Sequence, residues 1–161
     1  MEAELRNVKV YKGMSRETEA FTARLHVDGD YIADVSNDGH GGANRIYPRF
    51  DGWAEPDSIR GVNTRPQVDA FVKWCKDQPN HHGLGMSADY YISLMVDDYL
   101  LEQQLKRWCK KSTVVKLPEH KDGEWIKLNH PYSPEVAKIV REKYPNVVEI
   151  LNERYLPKEV K

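Results

Sequence analysis

The 161-residue chain carries 24 basic and 25 acidic side chains, a formal charge of −1, so no global field favours nucleic acid or an anionic membrane. Hydrophobic residues make up 40% of the chain, enough for one domain with its own core. No apolar run approaches the ~18 residues of a membrane span, and Met1-Glu2-Ala3-Glu4 lacks the basic and apolar regions of a secretory signal, so a soluble cytoplasmic protein is expected.

Residues 5–12 and 44–49 read as strands flanking a firmer pair. In that pair Phe21, Ala23, Leu25 and Val27 alternate with Thr22, Arg24 and His26, and Tyr31, Ala33 and Val35 resume the alternation after Asp28-Gly29. Asp-Gly tolerates the positive φ of a type I′ turn, which makes residues 20–36 a hairpin and residues 1–50 an antiparallel meander. Prolines and glycines then interrupt every period through residues 48–66, and residues 51–65 read as an irregular connection.

Thr64-Arg65-Pro66-Gln67 has the form of a capping box, and Val68, Phe71, Val72 and Cys75 recur at helical spacing, which predicts a helix over 65–77. Pro79 to Gly85 breaks it, and Ser87 with Asp89 starts a long helix reaching about Lys110. The first half of that helix is apolar nearly all round, so it is expected to be the central buried element. Thr113–Leu117 and Glu124–Asn129 read as a second hairpin; Ser133-Pro134-Glu135 opens a helix with Val136, Ile139, Val140 and Tyr144 as its buried stripe, and Val147–Leu151 as a last strand. The order is that of a single α+β domain: a meander at 1–50, a connection at 51–65, two helices at 66–110, and a hairpin, helix and strand at 111–161.

One echo crosses this order: Lys73-Trp74-Cys75-Lys76 and Arg107-Trp108-Cys109-Lys110 place the same pattern near two helix ends. The rest of the register does not repeat and strands flank both helices, so the echo is read as cationic residues favouring helix C-termini beside core-filling Trp and Cys.

Ser36-Asn37-Asp38-Gly39-His40-Gly41-Gly42 joins two strand-like segments and concentrates turn-forming residues around a histidine. One reading makes His40 a general base or metal ligand with Asp38 as its partner, and the amides of Gly39, Gly41 and Gly42 anion donors, in a metal- or phosphate-dependent hydrolase. The preferred reading is a glycine-rich turn with an exposed histidine, because this loop joins strands and lacks the helix N-terminus of a phosphate loop. His81-His82-Gly83-Leu84-Gly85 precedes a helix and offers a second anion geometry, again weighed below a plain turn. Asp97 and Asp98 interrupt the apolar helix, so one of them is expected to pair with an arginine such as Arg24 or Arg45.

The six histidines form no ligand pair at helical or strand spacing, the two cysteines fit no zinc pattern and read as buried thiols in a reducing compartment, and no Walker or dinucleotide fingerprint is present. No metal or cofactor is expected. Arg45, Arg49, Arg60 and Arg65 instead cluster around Tyr47, Phe50 and Trp53, interleaving residue types favoured at interface hot spots and at single-stranded nucleic acid, diluted by Asp51, Glu55 and Asp57. The segment Glu17–Pro48, with Phe21-Thr22-Ala23-Arg24-Leu25-His26-Val27-Asp28-Gly29 and Val35-Ser36-Asn37-Asp38-Gly39-His40-Gly41-Gly42, resembles small uncharacterised proteins of phages and other mobile elements over about a fifth of the chain. That resemblance implies an accessory role exerted through binding and supplies no catalytic residues. The expected function is therefore non-catalytic binding of a protein partner through Arg45, Arg49, Trp53, Arg60 and Arg65, with the hydrolase and nucleic-acid binding as alternatives.

Overall fold

A computed structural model describes residues 1–51, 62–79 and 85–155. Strands β1 (Ala3–Val10), β2 (Phe21–Val27), β3 (Asp30–Asn37) and β4 (Arg45–Pro48) form one antiparallel sheet in the order β1-β2-β3-β4, the meander that the alternation implies. Phe21, Ala23, Leu25 and Val27 are buried on one face of β2 while Thr22 and Arg24 stand exposed on the other. The β2–β3 turn has φ of 50° at Asp28 and 91° at Gly29, the two positive values of a type I′ turn, which follows the right-handed twist of the strands. A bulge between Leu25 and His26 leaves Ile32 outside the ladder, so Ile32 and Ala33 are both buried as neighbours.

Short strands β5 (Phe50–Asp51) and β6 (Val62–Asn63) pair antiparallel, and they bracket residues that lie outside the description, Trp53 and Arg60 among them. Helix α1 (Arg65–Lys76) buries Val68, Phe71 and Cys75 as its spacing predicts and packs against β3. The capping box expected at its start does not form. The Thr64 hydroxyl turns away from the helix and donates to the carbonyls of Ile32 and, at 3.1 Å, of Arg49, while Asn63 Oδ1 accepts the Arg65 N–H at 3.0 Å. Tertiary contact overrides the local pattern here: main-chain carbonyls of Ile32 in β3 and of Arg49 just after β4 take the hydroxyl, and the neighbouring asparagine serves the helix.

Helix α2 (Ala88–Cys109) starts as expected, with the Ser87 hydroxyl accepting from Tyr90 N at 3.0 Å. The contacts group the chain into two compact units, Met1–Asp97 and Asp98–Lys161, and the division falls inside this helix, where the sequence marks no boundary. In the first unit α2 buries Ala88, Ile92 and Val96, and Tyr91 meets α1 edge-on through Phe71 at 6.1 Å and Trp74 at 5.3 Å. In the second unit it buries Leu105, flanked by the half-buried Leu101 and Trp108. The expectation of a helix buried all round is thus corrected: Tyr90 is exposed, and Leu94, Met95, Tyr99 and Leu100 are half-buried. Two partial stripes, out of phase at about 3.6 residues per turn, read together as a continuous apolar run.

The second unit holds β7 (Thr113–Lys116), β8 (Ile126–Leu128), α3 (Pro134–Lys143), β9 (Glu149–Ile150) and a 3₁₀ turn (Leu151–Tyr155), with β7 central in the order β8-β7-β9. Val115 faces the cluster of Ala137, Val140 and Ile150, and Val114 the cluster of Leu105 and Leu151, so β7 is buried on both sides. Ser133 caps α3 as its sequence indicates, its hydroxyl accepting from Val136 N at 3.2 Å, but Ile139 points outward at 59% exposure and Ala137 takes the core position expected of it. The last strand is two residues long, Glu149–Ile150, and gives way to the 3₁₀ turn in which Asn152, 5% exposed, turns inward. Its Oδ1 accepts from Val114 N at 2.8 Å and its Nδ2 donates to the carbonyls of Cys109 at 3.0 Å and Ser112 at 2.8 Å, closing the C-terminal end of α2. Asn152→Ala would orphan three buried backbone groups, so an unfolding free energy lower by about 2–4 kcal/mol is expected. Urea denaturation checks this; a loss under about 1 kcal/mol would mean the cap is dispensable.

Candidate functional site

The loop joining β3 to β4 is built on two asparagines. Asn37, 9% exposed, uses its full side-chain capacity: Oδ1 accepts from Gly39 N and from the Thr18 hydroxyl, both at 2.8 Å, and Nδ2 donates to Gly42 O at 2.8 Å and Asn44 Oδ1 at 3.0 Å. Asn44 carries the chain of bonds to α2, with its N–H on Asp89 Oδ1 at 2.6 Å and its Nδ2 on Asp89 O and Ser93 Oγ, both at 2.9 Å. Asp89 lies in the first turn of the helix, where the unsatisfied amides favour its charge. None of this network was legible as a unit in the sequence, because Asn44 and Asp89 lie 45 residues apart and share no period.

The loop's glycines serve the turn. Gly39 has φ of +84°, and a Cβ there would lie 2.5 Å from Met14 O and 2.9 Å from the Ala20 Cβ; Gly41, also at +84°, packs against the Glu17 carboxylate. Their amides are engaged within the protein, Gly39 N on Asn37 and Gly41 N on the Thr18 hydroxyl at 3.3 Å. Asp38 accepts from the main-chain N–H of His40 at 3.3 Å and from Arg45 Nη2 at 2.8 Å. The His40 imidazole is exposed and, among the described residues, has no hydrogen-bond partner. The structure therefore brings Asp38 to Arg45 and to the His40 backbone rather than to the ring. Among the described residues no cluster of His, Cys, Asp or Glu is arranged to hold a metal ion.

Beside the loop lies an open cleft of about 350 Å³ lined by Thr18, Glu19, Asn37, Asn44, Ser93 and Asp97. Its polar groups are those of the loop network, and its charge is acidic. Asp97 and Asp98 are both exposed, so the cost of burying a carboxylate in the helix does not arise, and Arg45 pairs with Asp38. His81, His82 and Gly83 fall outside the described residues.

The sheet's outer face carries the denser chemistry. The ladder sets Arg6 opposite Arg24, Arg24 opposite Asp34 and Asp34 opposite Tyr47 in one row, and Lys9, Thr22, Ser36 and Arg45 in the next. The Tyr31 ring is the anchor: the guanidinium groups of Arg24 and Arg49 lie over it at 5.2 and 5.3 Å, and His26 stacks on it at 5.5 Å. Burial, then the hydrogen bond to Asp34, raises the Tyr31 hydroxyl above its ordinary range. Tyr47 and Phe50 stand out at 53% and 60% exposure. Of the five residues expected at an interface, Arg45 and Arg49 thus join this face, Arg65 is exposed at the start of α1 and paired with Asp69 at 3.1 Å, and Trp53 and Arg60 are outside the description. Sequence reasoning missed Arg6, Lys9, Arg24 and Tyr31. Their shared face follows from the strand register, with the bulge between Arg6 and Lys9 of β1 keeping both outward, and they form no contiguous stretch in the sequence.

Gly39→Ala is expected to lower stability by about 3 kcal/mol through clash and backbone strain, whereas His40→Ala should move it by less than about 0.5 kcal/mol; urea titration of both variants decides whether the loop is a built turn. Burial pushes the Cys75 thiol up to about 11, and Cys109 is raised by the same cause. At pH 8 in native conditions Cys75 should resist a disulfide reagent until the protein is denatured, while the half-buried Cys109 reacts first; prompt titration of both thiols would contradict the burial.

No protein-family model matches the chain, and neither a curated protein nor a solved structure does.

Proposed function

We propose that the protein works by binding a protein partner, without catalysis of its own, and that the contact surface centres on β4 and the two residues after it. The observation that carries this reading is the grouping of Arg45, Tyr47 and Arg49 along and just after β4, the edge strand of a sheet whose other face is the core, with Tyr47 and, at the start of β5, Phe50 both more than half exposed. A large apolar ring left in water is a cost that folding does not require, and aromatic and arginine side chains are the types that dominate interface energetics. The two cations are held in place: Arg45 by Asp38 at 2.8 Å, Arg49 over Tyr31. Held groups lose less freedom on association than floppy ones.

The Asp38–His40 hydrolase gains no comparable support, since its carboxylate bonds Arg45 and its glycine amides close the loop. An accessory, host-modulating role in the cytoplasm agrees with the phage-like segment and with two cysteines that are free thiols. Among the described residues no helix is long and apolar enough to cross a membrane. Arg45→Ala, Tyr47→Ala and Arg49→Ala, alone and together, test the surface by capture of a partner from lysate on immobilised protein. Single variants are expected to weaken capture by about tenfold and the triple to abolish it, as loss of hot-spot residues does. Undiminished capture by the triple variant would rule this surface out.

A further inference from the structure

We infer that the second unit binds a small aromatic phosphate monoester, with the chemistry of a nucleoside monophosphate, in a hollow at the C-terminal end of α2; this goes beyond the partner surface proposed above and uses none of its residues. The hollow measures about 540 Å³, within the range of small-ligand sites, and its lining includes Lys106, Arg107, Lys110 and the rings of Tyr132 and Tyr155, with no acidic side chain among the residues that form it. Gln103, Lys106, Arg107 and Lys110 fall within about 100° of one another around the helix, so all four reach the same side.

Cations near a helix C-terminus are ordinarily accounted for by the carbonyls left open there. Here those carbonyls are served from elsewhere: Trp108 O accepts from Lys111 N at 3.0 Å and Ser112 N at 2.9 Å, and Cys109 O accepts from Asn152 Nδ2 at 3.0 Å. The helix dipole favours positive charge at this end but makes no demand on which side of the helix carries it. Nor is the charge of the hollow cancelled by its neighbours. Lys106 is paired with Glu102 at 2.7 Å, and Glu153, which accepts from the Tyr132 hydroxyl at 3.4 Å, is held by Arg141 through two bonds at 2.8 and 2.7 Å. Those two pairs balance, whereas Arg107 and Lys110 are exposed and have no carboxylate partner among the described residues.

Two unopposed cations suit a phosphate monoester, which carries between about −1.5 and −2 at neutral pH, better than a singly charged carboxylate. Arg107 offers phosphate oxygens a planar fork of N–H donors, and Lys110 adds a point charge. The half-buried rings of Tyr132 and Tyr155 make walls for a flat body. Gln103, half-buried and without a hydrogen-bond partner among the described residues, brings a donor and an acceptor together, which matches the edge of a heteroaromatic base and is wasted on a plain phenyl ring.

The probes are adenosine 5′-monophosphate, adenosine, inorganic phosphate and phenyl phosphate, each titrated by calorimetry against the full chain. A double variant, Arg107→Gln with Lys110→Gln, removes the unopposed charge from two exposed positions; circular dichroism and the urea midpoint confirm its fold. Cys109 lines the same hollow while Cys75 is buried in the first unit, so alkylation of each thiol by iodoacetamide, read by mass spectrometry, locates the bound probe. The nucleotide is expected to bind at least about tenfold more tightly than each of the other three probes, and at least about tenfold less tightly to the double variant. At about ten times its Kd it should slow alkylation of Cys109 about tenfold and leave Cys75 unaffected. No nucleotide binding at about 1 mM, or equal binding of adenosine, phosphate or phenyl phosphate, overturns the assignment. So does an affinity unchanged in the double variant. Nucleotide binding that leaves Cys109 unprotected places the ligand elsewhere, and the site falls.

Discussion

The first unit depends on the bonded pair of side-chain amides, Asn37 and Asn44. A buried amide without partners costs more than most single contacts return, so such a group is tolerated only where its donors and acceptors are met. Here the solution runs Thr18 to Asn37 to Asn44 to Asp89 and Ser93, joining the segment before β2, the end of β3, the start of β4 and the first turn of α2. Each bond fixes the orientation of the next, since reversing one amide would set donor against donor along the chain. The glycine-rich loop between the two asparagines is folded by this requirement, with Gly39 close against the Met14 backbone where no Cβ fits.

That constraint decides what the loop is free to do. A catalytic or anion-binding turn needs donors left open toward a ligand, and the amides of Gly39 and Gly41 are closed onto Asn37 and Thr18. Asp38 contributes by tethering Arg45, which passes the loop's order to the start of β4. The loop thus aligns the edge of the sheet. Groups left exposed in fixed positions are on the outward side of the strands, where Arg24, Tyr31 and Arg49 hold one another.

Much of the fold was legible because its signals are local. Alternation in β2 and β3, the two positive φ values at Asp28-Gly29, and Ser87 and Ser133 as helix caps each depend on a few neighbouring residues. The failures share the opposite cause. Thr64 and Gln67 have the residue types of a capping box, yet the hydroxyl answers main-chain carbonyls from elsewhere in the chain. Ile139 fits the α3 stripe by spacing but faces water, because the smaller Ala137 meets Val140, Val115 and Ile150. At the site, Arg45 and Arg49 were legible as a basic and aromatic stretch, whereas Arg6, Lys9 and Arg24 join them only through strand register.

Register also explains why an α+β chain with almost no net charge can carry a charged surface. In a strand, successive side chains alternate between faces, so a sequence that mixes cations with apolar residues along its length separates them completely across the sheet. β1 and β2 put Leu5, Leu25 and Ala23 inward while Arg6, Lys9 and Arg24 go outward, with Glu4, paired with Arg6, and Asp34, opposite Arg24, set among them on the same face. The charge of the whole chain averages over these places and reports none of them. A slip of one residue in the β1–β2 pairing would bury the arginines and expose the leucines, so the core itself enforces the position of every cation on the outer face. The stability of the sheet and the pattern it displays outward are consequently one specification, written by the same alternation.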